Sequence, residues 1–370
     1  MSKTIGGKIR FEYIDQFRGL VIILMLLDHS SYYLNAIWNQ SDPLDPFFSS
    51  WGQFFIRYLP YLCAPGFLMM SGAMVWWAYK KRIEKGVSPA KIRWHIIKRG
   101  LFLILLQMTW VNSSWGGFAE FKPFHLGVIA TIGISMIFLV LIVHLKWQIQ
   151  TVIAVVILIG HVFLMQIQYN PDILWQKVLV KTLVDAGGLN KYPVLNWFAL
   201  AILGSVMAHG WLVAWKTDKQ RILMGLLISM PIFALAILMR LNTGFGSIFP
   251  FSHFSHFSFF IDQKYPPSLF MNLFSFAAVV LGVTLFISIG NVAPWLLKIF
   301  TIPGRVPLFF YGIHIAILGI FVKRLDFFYR EGGVLETLIG FLVMMIIMLP
   351  LCWWFYGVKQ RSTNFIIQMI

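Results

Sequence analysis

The chain has 370 residues, of which 59% are hydrophobic and 12% are charged, and its mean hydropathy is +0.76. Soluble globular proteins keep about 25% charged residues, so this composition excludes a water-soluble fold and predicts an integral membrane protein. The formal net charge of +16 does not indicate nucleic-acid binding. The basic residues lie in short loops between apolar runs and form no continuous basic face.

Ten apolar runs are long enough to be candidate membrane spans, which need about 20 mostly apolar residues. In chain order they cover Arg18–Trp38, Phe55–Tyr79, Gly100–Trp115, His125–Leu145, Ile149–Gln168, Pro193–Leu212, Ile222–Leu241, Leu269–Gly290, Val306–Val322 and Val334–Tyr356. The predicted fold is all-α, a polytopic membrane helix bundle of about ten transmembrane helices. We expect a single domain: an N-terminal segment over 1–17, a bundle over 18–357 and a tail over 358–370.

The distribution of lysine and arginine predicts the orientation of the bundle. If the N-terminus is cytoplasmic, the cytoplasmic segments hold 20 of the 30 basic residues, and the largest group runs from Lys80 to Arg99. Lys359 and Arg361 follow the last run, so both termini are predicted to be cytoplasmic.

Two long segments are predicted on the outer side. Residues 168–192 are polar and are expected to form a small ordered lid, and residues 242–268 hold a Phe-rich stretch too short to span. His253 and His256 in the second segment have a spacing that could suit a metal, but no third ligand is near, so we expect no metal. Cys63 and Cys352 are interpreted as small buried residues.

Asp28 and His29 lie inside the first run, where an ionisable side chain costs about 2.5–3.5 kcal/mol. His29 follows Arg18 by eleven residues, which is about 16 Å along a helix and close to three turns. Arg18 is therefore predicted at the cytoplasmic interface and His29 near the bilayer midplane, on nearly the same helix face.

The ninth run repeats this arrangement, because Arg305 precedes it at the cytoplasmic end and His314 follows nine residues later. Two histidines from different helices are then expected at similar depth. They could be structural contacts that join helices. Together with Asp28, and with a cytoplasmic arginine on each helix, they favour a functional site.

The chemistry that suits this layout is group transfer across the membrane. Imidazole exchanges protons near neutral pH, and a basic inner surface suits an anionic cytosolic donor. Asp28 could bias the tautomer of His29 or pair with another group. The acceptor could arrive from outside, near Lys264 and Tyr265.

Five segments resemble a known family. FEYIDQFRGLVIILMLLDHS contains Asp15, Arg18, Gly19 and His29 and is similar to the opening of membrane acyltransferases, and APGFLMMSGA resembles their second-span motif. More specific are YPVLNWFALAILGSVMAHG, DQKYPPSLFMNLFSFAAVVLG and FTIPGRVPLFFYGIHIAIL. These resemble the bacterial branch of the heparan-α-glucosaminide N-acetyltransferase catalytic family.

The resemblance implies acetyl-CoA as cytosolic donor and an amino sugar or glycan as acceptor. It implies His29 as the essential midplane residue. From the layout of the first and ninth runs, Asp28 and His314 are expected to take part in catalysis with it. The expected donor-binding residues are basic: Arg18, Arg305, Arg99 and Lys80. The expected acceptor-binding residues are Lys264, Tyr265, Asn196 and Trp197, where Asn196-Trp197 replaces the Pro-Trp common in the family. A bacterial inner-membrane location is also implied.

Several alternatives stay open. His29 could act as a general base or take the acetyl group itself. The acyl group could be longer than acetyl, and the resemblance also raises a homodimer. A transporter or exporter of a sugar-type solute would also place ionisable residues at the midplane, and a scaffold subunit would have no chemistry of its own.

Overall fold

The structure, a computed structural model, describes residues 2–5, 8–38, 40, 44 and 50–370. Residues 1, 6 and 7 of the predicted N-terminal segment lie outside the described residues. The α-helices found there are α1 (Glu12–Leu34), α2 (Trp51–Tyr58), α3 (Cys63–Glu84), α4 (Pro89–Leu106), α5 (Asn112–Trp115), α6 (Val128–Ile142), α7 (Trp147–Leu164), α8 (Leu174–Leu183), α9 (Val194–His209), α10 (Asp218–Leu241), α11 (Leu269–Val292), α12 (Lys298–Arg305), α13 (Pro307–Leu318), α14 (Val334–Arg361) and α15 (Phe365–Met369). An antiparallel hairpin, β1 (Ser2–Ile5) and β2 (Lys8–Phe11), precedes them.

Each predicted apolar run overlaps a helix of the structure. Within the described residues, seven helices are long and apolar enough to cross a membrane: Trp51–Glu84, Trp147–Leu164, Val194–Ala214, Asp218–Leu241, Leu269–Val292, Pro307–Arg324 and Val334–Arg361. The other three runs fall on α1, on α4 with α5, and on α6. Helix α6 has only 15 residues, and α1 carries charged side chains that lower its hydropathy. The count of ten spans stays a prediction.

Helices α10 and α14 present broad apolar surfaces outward. On α10 the side chain of Leu238 is 56% exposed, and on α14 that of Ile346 is 73% exposed. Exposed apolar surface of this extent is stable only in lipid, so both helices fit the outside of a membrane bundle.

Helix α1 lies at the centre of the bundle, in contact with α3, α11, α12, α13 and α14. This position explains how one helix carries Asp15, Arg18, Asp28 and His29 through an apolar bundle. Each of these side chains can reach partners on neighbouring helices and avoid lipid. The helix begins at Glu12, inside the segment predicted as a polar N-terminal extension. Carboxylates in the first turn stabilise such a start.

Glycines bring α1 and α12 into backbone contact. A methyl group at Gly19 would collide with the carbonyl of Phe300, and one at Gly304 would collide with the carbonyl of Asp15. The sequence segments DQFRG and PGR therefore meet in space. Their arginines, at opposite ends of the chain, are brought to the same end of α1.

Three helices continue into π-helical turns, at Gln107–Val111, Gly210–Ala214 and Gly319–Arg324. The first of these joins α4 to α5. Such turns rotate the side chains that follow them and often lie at functional sites.

Candidate active site

Two histidines from different helices meet in the centre of the bundle. Nδ1 of His29 on α1 lies 2.7 Å from Nε2 of His314 on α13, and Nδ1 of His314 lies 2.7 Å from the carbonyl oxygen of Phe310. Both rings are buried, and they stack with centroids 5.0 Å apart.

These contacts fix the proton positions of the neutral pair. A carbonyl oxygen only accepts, so Nδ1 of His314 carries a proton and donates it to Phe310. Nε2 of His314 is then an acceptor, so Nδ1 of His29 donates to it. Nε2 of His29 therefore carries a lone pair, and it makes no hydrogen bond to any described residue. An unprotonated imidazole nitrogen can act as a base or a nucleophile.

His29 borders a cavity of about 300 Å³, which we call the His29 cavity. The edges of Trp115 and Tyr311 flank the imidazole, with ring centroids at 4.8 and 5.9 Å. The polar side chains of the lining are Asp28, His29, Tyr32, Gln107, Asn112, Glu120, Lys122, His125, Lys191, Tyr192, Lys264, Tyr265, Tyr311 and Lys323. They come from segments far apart in sequence, including four of the loops predicted on the outer side.

Asp28 lines this cavity but pairs with Arg57, at the end of α2, rather than with His29. Its Oδ1 lies 3.7 Å from a guanidinium nitrogen of Arg57, and that guanidinium stacks on Trp38 at 4.3 Å. The group that orients His29 is therefore His314, because adjacent positions on a helix point about 100° apart. Asp28 keeps a place in the lining as one half of an ion pair.

Lys264 and Tyr265 form part of the wall opposite α1. The Lys264 ammonium lies 4.1 Å from the centre of the Tyr61 ring, and the Tyr265 hydroxyl lies 3.2 Å from that of Tyr192. Burial would lower the pKa of Lys264, but Tyr265 and Asp28 outweigh it and raise the pKa, so the lysine is charged at neutral pH. Burial would raise the pKa of Tyr265, but nearby Lys264 and Lys191 lower it.

Asn196 and Trp197 lie behind this wall and do not line either cavity described here. The Asn196 amide donates to the carbonyl of Pro267 at 2.7 Å and lies 3.0 Å from Nδ1 of His161. Trp197 is buried against Tyr192, with ring centroids 5.5 Å apart. Both residues support the segment that presents Lys264 and Tyr265, and their role in acceptor binding stays a prediction.

A second cavity of about 420 Å³ lies beside the opposite half of α1. We call it the Arg18 cavity. Its charged lining consists of Arg18, Arg82 and Arg99, with His95 beside them, and no carboxylate of the described residues lines it. Arg18 is 3.6 Å from Asp15, whereas Arg82 and Arg99 have no carboxylate within ion-pair distance among the described residues. The remaining wall is mostly apolar.

The two cavities share four wall residues: Met25, Phe67, Val128 and Tyr311. Helices α1, α3 and α4, with the turn after α4, pass along both of them. On α1 the order is Arg18, Met25, His29, so the shared wall lies one turn before the histidine. Taken together, the two cavities are cationic at one end, apolar at the shared wall and polar at the other end.

The family described as "Heparan-alpha-glucosaminide N-acetyltransferase, catalytic" matches residues 10–240, more than half of the chain. The chain belongs to this family. The resemblance found from the sequence is thereby confirmed. The protein is a transmembrane acetyltransferase. A comparison with curated proteins finds no match. His314 lies beyond the matched residues, and the structure joins it to the matched part through His29.

In this acetyltransferase, two residues expected to bind the donor lie outside the lining of the Arg18 cavity. Arg305 is held by Glu12 at 3.8 Å and Asp15 at 3.7 Å, and it donates to the Tyr356 hydroxyl at 3.2 Å. Lys80 is 3.5 Å from Glu84 on the outer surface of α3. Arg99 and Arg18 do line the cavity, as expected.

The acetyltransferase site also contains residues that the sequence reading did not select. Arg57 lies in the second apolar run, Arg82 in the basic group from Lys80 to Arg99, and Trp115 at the end of the third run, and no local pattern marks any of them as a site residue. Among the described residues there is no group of three or more His, Cys, Asp or Glu side chains that could hold a metal.

Proposed function

We propose that the chain transfers an acetyl group from acetyl-CoA, held in the Arg18 cavity, to an amino sugar or glycan in the His29 cavity. The observation that carries this proposal is the hydrogen-bonded series from His29 through His314 to the Phe310 carbonyl, which lies one turn of α1 beyond the wall that the two cavities share. It leaves Nε2 of His29 unprotonated at the point where donor and acceptor would meet.

The Arg18 cavity has the chemistry needed for the donor. Two arginines of the lining, Arg82 and Arg99, have no carboxylate within ion-pair distance among the described residues, and they suit the phosphates of coenzyme A because guanidinium groups bind phosphate in a bidentate manner. The same cavity has an apolar part, to which Met70, Met74 and Ile132 contribute, and its lining also includes Tyr311. Acetyl-CoA has an anionic phosphate head and a thin thioester arm, which match the cationic part and the apolar part of this cavity. The basic residues of the neighbouring loops support a cytoplasmic position for this cavity.

The His29 cavity has the chemistry expected for a sugar. Its aromatic rings offer flat apolar surfaces, and hydroxyl, amide and ammonium groups alternate with them. Glu120 pairs with Lys122 at 2.7 Å, whereas Lys191, Lys264 and Lys323 have no carboxylate within ion-pair distance among the described residues. Charged and hydroxyl-bearing acceptors can therefore find partners here.

In the direct version of the reaction, Nε2 of His29 removes a proton from the acceptor amine while the amine nitrogen attacks the thioester carbon. The C–S bond breaks, and the proton passes from His29 to the coenzyme A thiolate. The bond from Nδ1 of His29 to His314 strengthens when His29 becomes an imidazolium, because a charged donor forms a stronger hydrogen bond. His314 thus positions the base and stabilises its charged form.

In the two-step version, Nε2 attacks the thioester carbon and the thiolate leaves. The acceptor amine then takes the acetyl group from the imidazole, and the proton that the amine loses goes to the coenzyme A thiolate. Both versions require the same unprotonated nitrogen. Rapid acid quenching of the protein with labelled acetyl-CoA, followed by peptide mapping, separates them, because only the two-step version labels His29.

The test of the proposal uses purified protein in detergent, labelled acetyl-CoA and D-glucosamine. We expect His29→Ala to lower the rate of acetyl transfer by at least about 10²–10⁴-fold, the range for loss of a general base. The matched control is His144→Ala, because His144 is exposed and lies outside both cavities. Wild-type transfer by His29→Ala would contradict the proposal.

A further inference from the structure

Gln107 is a buried amide that the reaction scheme above does not use. It opens the π-helical turn Gln107–Val111, is 1% exposed and lines the His29 cavity. The π-helical turn is the local distortion that sets the direction of this side chain relative to α4.

The orientation of the Gln107 amide follows from its neighbour Asn112. The Asn112 Nδ2 group donates to the carbonyls of Lys122 at 2.8 Å and His125 at 2.9 Å, so its Oδ1 must be the acceptor. Nε2 of Gln107 donates to that oxygen at 2.8 Å. Oε1 of Gln107 is therefore the free end of the amide, and it has no hydrogen-bond donor among the described residues.

The opposite side of the amide is held by the backbone. A methyl group at Gly127 would lie 2.8 Å from Nε2 and 2.9 Å from Oε1 of Gln107. Glycine at this position leaves room for the amide between Asn112 and α6, and the carbonyl cannot rotate away without losing the bond to Asn112.

A buried carbonyl oxygen without a donor is unfavourable, because burial removes its hydrogen bonds to water and nothing replaces them. Ser30 and Ser31 also have unpartnered polar atoms, but they line neither cavity. Asp28 Oδ1 and Trp38 Nε1 belong to residues that do line the His29 cavity, and both residues are engaged by Arg57, through the ion pair and the ring contact. The free oxygen of the glutamine amide has no such partner among the described residues, and its side chain borders the space in which the acceptor is proposed to bind. A ligand that brings an N–H or O–H group to this oxygen would replace the lost hydrogen bond.

We propose that Gln107 is an acceptor-binding residue, whose Oε1 receives a hydrogen bond from the amino or hydroxyl group of the sugar. This assignment rests on the proposed function. A fixed carbonyl accepts and never donates, so it recognises a primary amine or hydroxyl and orients it toward His29. An acceptor whose amino or hydroxyl group is fully alkylated has no N–H or O–H to donate, so it loses this contact.

The test compares Gln107→Met, which keeps the length of the side chain but lacks the oxygen, with Gln150→Met. Gln150 is equally buried, but both ends of its amide are bonded, to the Leu145 carbonyl and the Ser205 hydroxyl, and it lies outside both cavities. With D-glucosamine as probe, we expect Gln107→Met to raise the acceptor KM about tenfold. The KM for acetyl-CoA should change less than about twofold, because Gln107 does not line the Arg18 cavity. Gln150→Met should leave both KM values unchanged.

A second variant covers the case in which Gln107→Met does not fold. Gly127→Ala displaces the Gln107 amide without removing it, and we expect about a threefold rise in acceptor KM. An unchanged acceptor KM in the folded Gln107 variant, or in Gly127→Ala if that variant alone folds, would overturn the assignment. A wild-type protein that forms no acetylated product contradicts the proposed function, whereas an active wild type with an unaffected Gln107 variant contradicts only the role of Gln107.

Discussion

The His29 cavity and the Arg18 cavity share four wall residues, yet they are built in different ways. The polar lining of the His29 cavity comes largely from loops and helix ends, such as Lys122, Lys191 and Lys264, and hydrogen bonds hold several of its groups in place. The Arg18 cavity is lined by the sides of helices and carries its charge at one end. Loops can vary around a rigid bundle, so the first cavity has the features of an acceptor site and the second those of a site for a constant donor.

The charged side chains that line the two cavities also differ. Each of the two acids that line the His29 cavity has a basic partner, Arg57 for Asp28 and Lys122 for Glu120. Arg82 and Arg99 in the other cavity have no such partner among the described residues. Unpaired arginines near a cavity mouth attract anions strongly, whereas paired charges mainly fix geometry.

Among the variants that test this comparison of the two cavities, His314→Leu is expected to have the largest effect on kcat. His314→Leu removes the acceptor for the Nδ1 proton of His29, so His29 no longer holds its tautomer and the imidazolium loses its partner. We expect kcat to fall about 100-fold, with both KM values changed less than about threefold. His314→Gln keeps an acceptor oxygen and should recover part of kcat. Equal activity of the Leu variant and the wild type would show that His314 is only a packing residue.

A smaller effect is expected in the Arg18 cavity, and it should fall on the donor alone. Arg99→Ala removes one unpaired cation, and we expect the KM for acetyl-CoA to rise about tenfold, with a weaker dependence on salt. The matched control is Lys80→Ala, because Lys80 pairs with Glu84 and lies outside the cavity. We expect this variant to change the same KM less than about twofold. A larger effect from Lys80 than from Arg99 would reverse the assignment of the donor site.

The sequence predicted the main axis of the site well, for a physical reason. A continuous helix fixes the offset between Arg18 and His29, and α1 is continuous from Glu12 to Leu34. The same periodicity placed His314 at similar depth, and the structure joins it to His29 at 2.7 Å. Charges in apolar runs are rare, so such residues stand out without any knowledge of the fold.

The features of the site that no local sequence pattern shows depend on tertiary contacts. Close packing of the α1 and α12 backbones places Arg305 beside Asp15 and Glu12 and outside the Arg18 cavity. No local sequence pattern predicts this pairing. Gln107 is one neutral amide in a short apolar run, and its significance comes from Asn112 and Gly127. Arg57 lies on the short helix α2. It can pair with Asp28 only because α2 packs against α1.

The central claim is that donor and acceptor reach His29 from opposite faces of the membrane, and sided proteoliposomes test it most directly. Labelled acetyl-CoA is supplied only outside, and D-glucosamine is enclosed only inside. We predict that acetylated glucosamine accumulates inside vesicles with the wild-type protein, and that vesicles with His29→Ala show none above background. Product that forms only when both substrates share one compartment would contradict the account.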